Sequence, residues 1–395
     1  MIFYFISLSY IICKILVVKN KKEKYFFINT EGGFGPSITR SHILKIMYDE
    51  NWILFFGTKN KRHNKNIKKI FDNQLIFFYC GDLNQPKYKD NFEKFTKKVI
   101  QILFKLKFRT VESLILDLEI EDNDQNLKDL TKKKYNKLIL FECGFFFKYH
   151  NKKNFYPNNI YKKNFTKFFK KFDGEFKGKI NFFLRGKSKK YPNKRFIDNI
   201  RDARDIDDYK DTLEYLVESG YQIFLTGEVT NVPDWVKKFG NSVVYLNKTD
   251  FKIDDYNLYA MSNTEYFIGG SSGPPLFKCI NNFKTLLLET NHLGISYLNS
   301  VVSYPKIKVE KLSYLKEIFM RCPYEDHYLE KIFNNNLIES LSKNDLKIIT
   351  KEFIENINND KYWKRAEDLG FLETHTHFMD AKISNYWLKL NNIEV

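Results

Sequence analysis

The stretch that decides the fold reads TEYFIGGSSGPPLFKCINN and runs from Thr264 to Asn282. It joins an apolar run, typical of a buried strand, to a helical pattern through three glycines, two serines and two prolines. Glycine lets the backbone turn sharply, and proline in a first helical turn already has the φ angle that a helix requires. A strand, a glycine-rich turn and a helix in this order predict a parallel α/β sheet.

The same alternation recurs along the chain on both sides of a lysine-rich linker near 170–178. Apolar runs before the linker predict strands at 25–30, 52–57, 74–81 and 137–144, with helical patterns at 41–51 and 91–108. Runs after it predict strands at 179–186, 221–228, 241–247, 264–270 and 284–290, with helices at 205–220, 254–262 and 276–282. The sequence therefore predicts an α/β protein with two Rossmann-like, doubly wound domains that face a cleft.

Length supports this division, because 395 residues exceed what one hydrophobic core usually holds together. The predicted organisation has an apolar N-terminal segment, two α/β domains and a helical C-terminal tail. Its bounds are 1–24, 25–175, 176–310 and 311–395. The helical patterns of the tail lie at 311–322, 336–343, 345–357 and 383–391.

Composition describes a folded and basic chain. Hydrophobic residues make up 43% and aromatic residues 17%, which argues against disorder. The formal net charge of +17 comes from lysines scattered among Asn, Ile, Phe and Tyr, a mixture that also results from an AT-rich coding bias. No motif for nucleic-acid binding accompanies the charge, so no nucleic-acid partner is predicted, whereas anionic sugar-phosphate or nucleotide ligands fit it.

Cysteine spacing and acidic pairs bear on redox setting and metals. Five cysteines lie far apart without a paired motif, so the sequence predicts a reducing, cytoplasmic setting and no zinc site. Asp205 with Asp207, and Asp122 with Asp124, have the spacing that can bridge a divalent cation to a diphosphate. The first pair opens a predicted helix, where acidic residues cap and complement the dipole, and the second lies in a polar stretch. No metal and no cofactor are predicted.

The N-terminus leaves three interpretations open. Residues 1–18 contain one charge, Lys14, and KNKKEK follows them. This length fits a short membrane-spanning helix with a positive cytoplasmic flank, and its Tyr, Ser and Phe content equally fits an interfacial helix or a packed core element. Attachment to the cytoplasmic face of the inner membrane is one of these possibilities.

Three predicted strand ends supply groups that bind anions. Ligands of open α/β sheets bind outside the carboxyl ends of the strands, where helix N-termini favour phosphate. The residues in question are Arg185 and Gly186, Thr226, Gly227 and Glu228, and Ser271, Ser272, Gly273 and Pro274. A guanidinium pairs bidentately with phosphate oxygens, and Glu228 or its backbone could reach ribose hydroxyls or a base. A tight turn without a ligand and a surface ion pair of Arg185 are the alternatives.

Residues 200–228 and 261–291 resemble the bacterial glycosyltransferases of surface-polysaccharide gene clusters. The resemblance covers roughly 179–305, with a weaker echo at 381–392, and its motif includes Arg201, Asp202, Asp205 and Tyr209. It implies a two-domain GT-B fold in which the C-terminal domain binds a nucleotide-diphosphate sugar and the N-terminal domain binds a glycan or lipid-linked acceptor. An inserted Arg204, Asp202 in place of the more usual Asn, and Pro274 after the turn leave the identity of the donor open.

The first strand-to-helix turn, NTEGGFGPSITRSH at 29–42, supplies the predicted catalytic base. Transfer with inversion needs a base at the acceptor hydroxyl, and Glu31 is the first candidate and His42 the second. Gly32, Gly33 and Gly35 form the loop on this acceptor side. The alternatives are a carboxylate that only stabilises a helix dipole and a histidine on a helix face. Two other functions also stay open: a nucleotide-sugar epimerase, and a non-catalytic basic protein that binds membrane surfaces or nucleic acid.

Overall fold

In the computed structural model the chain forms two compact units. Described residues up to 110 belong to the first unit, and those from 166 onward belong to the second. The structure describes residues 2–18, 24–28, 38, 41, 44, 52–58, 70, 75–79, 95, 98–99, 102–103, 108–110, 166, 169–185, 196, 200, 204–227, 229, 231–270, 273–280, 284–291, 293–294, 300–309, 311–322, 325–365, 368–369 and 382–393.

The first unit contains one long helix and a parallel sheet. The helix is α1 Ile2–Val18, and the strands are β1 Lys24–Ile28, β2 Trp52–Thr58, β3 Leu75–Tyr79 and β4 Phe108–Thr110. The strands lie in the order β3-β2-β1-β4, and all of their pairs are parallel. The chain therefore builds the sheet outward from β1 on one side and then adds β4 on the other, which is a doubly wound pattern.

The predictions for this unit are mostly confirmed where the structure describes the chain. The first three predicted strands are β1 to β3, and helical residues occur within 91–108. The helix was expected to include Phe108, which instead begins β4, and this short strand was not predicted. The strand expected at 137–144 lies outside the described residues.

The second unit contains ten of the described strands and eight of the described helices. The strands are β5 Gly178–Leu184, β6 Tyr221–Gly227, β7 Val243–Val244, β8 Tyr266–Gly269, β9 Lys284–Leu287, β10 Ser300–Val302, β11 Lys306–Ile307, β12 Ile338–Glu339, β13 Lys364–Arg365 and β14 Lys382–Ile383. The helices are α2 Lys210–Glu218, α3 Asp234–Lys237, α4 Ile253–Asn263, α5 Gly273–Ile280, α6 Leu312–Arg321, α7 Asp326–Asn334, α8 Lys343–Asn356 and α9 Asn385–Leu390.

The main sheet of this unit has eight strands in the order β13-β14-β10-β9-β8-β5-β6-β7. Every pair in it is parallel except β13 with β14. The chain runs outward through β5, β6 and β7, then returns to place β8 on the other side of β5. This is the doubly wound order expected from the sequence, and its direction of winding reverses between β5 and β8.

Burial on both faces explains why these strands read as continuous apolar runs. In β5, Ile180 and Phe182 are fully buried, in one apolar cluster with Leu213 of α2 and Leu346 of α8. Parallel sheets are covered by helices on both faces, so their strands lose the alternation of polar and apolar residues. Full burial of one such side chain stabilises the fold by about 1.5–3 kcal/mol.

The C-terminal tail consists mainly of helices, as predicted, and it also contributes to the sheet. β14 pairs with β10 in parallel, and β13 pairs with β14. The Nε1 of Trp387 donates to the carbonyl oxygen of Pro305 at 3.1 Å, which attaches α9 to the core. The helix expected at 336–343 was wrong, because Ile338–Glu339 is strand β12, paired with β11.

Two other elements are shorter than the sequence predicted. The expected helix at 205–220 begins as a 3₁₀ turn, Ile206–Tyr209, and becomes α-helical only at Lys210. The expected strand at 241–247 is reduced to Val243–Val244 between two 3₁₀ turns.

Replacing Gly227 with alanine tests how tightly the end of β6 packs on β5. Gly227 has φ +101°, and a Cβ atom there would lie 1.8 Å from the carbonyl oxygen of Leu184. We expect Gly227→Ala to lower the free energy of unfolding by about 3 kcal/mol or more, because strain and a backbone clash add. Gly240 is the matched control, since its φ is +55° and no atom lies within 4 Å of the added Cβ. Urea unfolding should show a loss of only about 1 kcal/mol for Gly240→Ala, and equal losses would contradict the close packing.

Candidate ligand site at the switch point of the second sheet

The end of β5 and the turn after β8 meet where the winding of the sheet reverses. β5 and β8 are neighbours, with Phe183 paired to Gly269. Arg185 follows β5 directly, and Gly270 follows β8. Since ligands of doubly wound sheets bind outside the carboxyl ends of the strands at this reversal, the two sequence-predicted segments lie at the position expected for a ligand site.

Glycines lie on both strands next to the end of β5. A Cβ atom at Gly269 would lie 2.6 Å from the carbonyl oxygen of Phe183, and one at Gly227 would lie 1.8 Å from that of Leu184. These two glycines are required by the close approach of β6 and β8 to β5. Gly270 is different, because a Cβ atom there would have open space and meet no atom within 4 Å. The edge after β8 thus offers main-chain groups that a ligand can approach closely.

The first turn of α5 is poorer in hydrogen-bond donors than the sequence suggested. α5 begins at Gly273, so Pro274 and Pro275 both fall in its first turn. Proline has no N–H group, and therefore two of the positions that usually donate to an anion carry no donor. The amide of Gly273, the dipole of the helix and the guanidinium of Arg185 remain as groups that favour an anion. Anion binding at this edge would consequently depend more on Arg185 than on the backbone of the turn.

A side chain from α4 holds the end of β6, and this contact was not predicted from the sequence. The Nδ2 of Asn257 donates to the carbonyl oxygen of Gly227 at 3.1 Å, and the N–H of Gly227 donates to Oδ1 of Asn257 at 3.0 Å. These paired bonds satisfy both backbone groups at the strand end. They also hold Gly227 in its left-handed conformation. The only sequence signal is an amide within the largely apolar stretch YNLYAM.

The side chain of Thr226 points into the sheet packing and not to open solvent. It is 1% exposed, and its hydroxyl donates to Oδ1 of Asn181, which is fully buried on β5. Since Asn257 already pairs with both backbone groups of Gly227, a ligand contact by the 226–228 turn would fall to Glu228, which lies outside the described residues.

Arg204, which interrupts the family motif, has a structural partner. Its Nη2 donates to Oε1 of Glu289, which lies two residues after the end of β9. The same oxygen accepts from the N–H of Leu341 at 2.6 Å. Glu289 is a non-glycine residue with φ +48°, and its N–H donates to Oγ of Ser303 at 2.9 Å. Burial raises the pKa of the Glu289 carboxyl, and Arg204 opposes that rise. The inserted arginine is thus the counter-ion of a buried carboxylate.

Two other motif residues belong to the local packing. Tyr209 is 7% exposed and lies edge-on to Phe182, with ring centroids 5.3 Å apart. Burial and the nearby Glu289 raise the pKa of its hydroxyl. Asp205 precedes the 3₁₀ turn, and its carbonyl oxygen accepts from the N–H of Asp208 at 3.0 Å.

The remaining predicted site residues lie outside the described residues, and their roles stay predictions. They are Glu31, Gly32, Gly33, Gly35, His42, Gly186, Arg201, Asp202, Glu228, Ser271 and Ser272. Within the described part of the chain, no group of three His, Cys, Asp or Glu side chains could hold a metal ion. Asp207, from one acidic pair, accepts from Nε1 of Trp235 at 2.7 Å. Asp122 and Asp124 are not among the described residues.

Comparisons with solved structures find distant likenesses. A glycosyl transferase family 9 structure from Veillonella parvula is 10% identical, with a TM-score of 0.44 and coverage of 80% of this chain and 97% of the other. ADP-heptose lps heptosyltransferase II of E. coli is 11% identical, with a TM-score of 0.37 and coverage of 80% and 98%. UDP-GlcNAc 2-epimerase of Neisseria meningitidis is 10% identical, with a TM-score of 0.34 and coverage of 85% and 99%. No family model and no curated protein match the sequence. At these identities and TM-scores, the likeness supports no functional inference by itself.

Removing the Asn257 amide should weaken the end of β6 selectively. We expect Asn257→Ala to cost about 1–3 kcal/mol of unfolding free energy, because two backbone groups of Gly227 lose their partner. Asn263, on the same helix, is the matched control, since its Nδ2 only donates to the carbonyl of Tyr259, four residues earlier. Asn263→Ala should cost less than about 0.5 kcal/mol. Hydrogen exchange should also show faster exchange of the Gly227 amide in Asn257→Ala, and unchanged exchange would refute the paired bonds.

Removing Arg204 should produce a pH-dependent loss of stability. Arg204→Met leaves the Glu289 carboxylate buried without its cation, which should cost about 3–5 kcal/mol near neutral pH. The pKa of Glu289 in the folded state then rises further above its ordinary value of 4.5. The loss should therefore be full above the folded-state pKa and shrink as the pH falls toward 4.5, where the carboxyl is protonated. Urea unfolding at several pH values tests this, and Arg204→Met/Glu289→Gln should show a smaller and flatter loss. A pH-independent loss in the single variant would contradict the pairing.

Proposed function

We propose that this chain is a glycosyltransferase that moves a sugar from a nucleotide-diphosphate sugar to a cell-surface glycan or a lipid-linked acceptor. The observation that carries the proposal is the meeting of Arg185 and the Gly270 turn at the reversal of winding between β5 and β8. A diphosphate has the charge and the shape that a guanidinium, a helix dipole and exposed backbone amides bind together. The resemblance of 179–305 to glycosyltransferases of polysaccharide biosynthesis supports the same interpretation.

The chemistry follows from where charge develops. As the bond between the sugar carbon and the diphosphate oxygen breaks, the bonding electrons remain on the diphosphate. Arg185 and the amide of Gly273 would stabilise that charge, and such groups are most effective when they are already oriented. The acceptor hydroxyl forms the new bond to the sugar carbon and gives up its proton to a base. We assign that base to Glu31, with His42 as the second candidate, and we assign no metal ion to the reaction.

The first unit is the proposed acceptor domain. Its sheet also reverses its winding, between β1 and β4. The chain that follows β1 leads in sequence to Glu31 and the glycines after it. A carboxylate after the first strand of a doubly wound sheet is a suitable base for an acceptor bound at the strand ends.

Replacing Arg185 tests the proposal. We expect Arg185→Ala to lower kcat for sugar transfer by about 100-fold or more, because one preorganised donor to the leaving group is lost. Arg185→Lys should recover only part of the rate, since an ammonium cannot form the bidentate pair. Arg321→Ala is the matched control, because Arg321 pairs with Glu317 of α6 and with Glu325 just before α7 and has no role in transfer.

The assay should follow radiolabelled sugar from a panel of nucleotide-diphosphate sugars into glycan and lipid-linked acceptors. Transfer at the wild-type rate by Arg185→Ala would overturn the assigned role. If the sugar nucleotide is instead epimerised and no acceptor is labelled, the chain is an epimerase that uses the same diphosphate site.

A further inference from the structure

Helix α1 has two apolar faces, and the described structure covers only one of them. Leu8, Ile11 and Ile15 are buried, and the helix contacts β3 of the first sheet. On other sides, Ile6 is 60% exposed and Val17 is 82% exposed. A helix on the surface of a globular protein normally turns charged and polar residues to solvent.

The uncovered side of α1 carries four large apolar side chains. At about 100° per residue, Ile6 and Val17 lie nearly opposite Ile11 and Ile15, and Phe5 and Leu16 lie together on one side of them. Phe5 is 58% exposed and Leu16 is 60% exposed. An exposed apolar surface of this kind marks an interaction site, because its burial is worth about 1.5–3 kcal/mol for each large side chain.

The length and packing of α1 favour a helix that lies along a surface. Within the described residues, no helix is long and apolar enough to cross a bilayer. α1 has 17 residues, or about 26 Å at 1.5 Å per residue, against about 30 Å of hydrocarbon. A spanning helix would also have to leave β3. The helix can instead lie parallel to a surface with its inner face still packed on the sheet.

Charge decides between a lipid surface and a second copy of the chain. Lys14 is exposed on α1, and KNKKEK follows the helix with four lysines and one glutamate. The whole chain carries a formal net charge of +17. Pairing two copies through this face would bring like charges together, whereas an anionic bilayer supplies the opposite charge.

We propose that α1 is a monotopic membrane-docking helix, which inserts Phe5, Ile6, Leu16 and Val17 into an anionic lipid surface while Leu8, Ile11 and Ile15 stay packed on the first sheet. This inference does not depend on the proposed transferase activity, and its test measures binding alone.

Co-sedimentation of the full chain with lipid vesicles tests the proposal. Vesicles of phosphatidylcholine with phosphatidylglycerol should bind the chain, vesicles of phosphatidylcholine alone should bind it less, and added salt should weaken binding. Ile6→Glu/Val17→Glu should reduce affinity for the anionic vesicles by at least about tenfold, because two inserted side chains are lost and two like charges are added. Lys14→Glu should also reduce it, because Lys14 is exposed on α1 and its cation would be replaced by an anion.

A matched control distinguishes docking through α1 from non-specific binding by any exposed apolar residue. Leu312 and Met320 on α6 are 39% and 41% exposed, so Leu312→Glu/Met320→Glu makes the same change in apolarity and charge elsewhere. It should bind vesicles as the wild type does, and circular dichroism should show that all variants fold. Unchanged binding by both the Ile6→Glu/Val17→Glu and the Lys14→Glu variants, or no binding by the wild type, would overturn the proposal. So would a dimer in sedimentation velocity that Ile6→Glu/Val17→Glu disrupts, because the face would then belong to a second copy.

Discussion

The candidate site depends on the close approach of two neighbouring strands to the end of β5. Gly227 and Gly269 bring β6 and β8 so near that a Cβ atom at either position would strike a carbonyl oxygen of β5. Neither glycine places a side chain between the strands, and Arg185 directly follows β5, which lies between β6 and β8. A larger residue at either glycine would separate the strands and remove the surface that a diphosphate is proposed to occupy.

Buried polar contacts hold the segments around this edge in place. Asn257 satisfies both backbone groups of Gly227, and Glu289 accepts from Arg204 and from the backbone of Leu341. Each contact joins segments that are far apart in sequence, so the chain before α2, the end of β9 and the start of the tail are linked through one carboxylate. A buried carboxylate is costly unless it is paired, which makes the arrangement specific. A few buried polar side chains thus hold the segments around the carboxyl ends of these strands.

The sequence predicted β5, β6, β8 and β9 of the second sheet because these strands leave local patterns, whereas β10, β13 and β14 were not predicted. Apolar runs mark these four strands, three of them next to glycine, and a helix with two prolines at its start marks α5. The ligand-binding role of Arg185 stays a prediction. Asn257 and the pair of Arg204 with Glu289 leave no such pattern, since their partners are 30 and 85 residues away. Strands of two residues, such as β12, are fixed by pairing and carry no periodicity of their own. The loss of donors in the first turn of α5 became visible only once its starting residue was known.

The most direct test of the account is a crystal structure of the chain soaked with a nucleoside diphosphate. We expect density for the diphosphate beside Gly270 and the first turn of α5, within hydrogen-bonding distance of the Arg185 guanidinium. The nucleoside should then lie along the carboxyl ends of the neighbouring strands. Density for the diphosphate at any other place on the second unit, with the edge between β5 and β8 filled by the protein's own side chains, would contradict it.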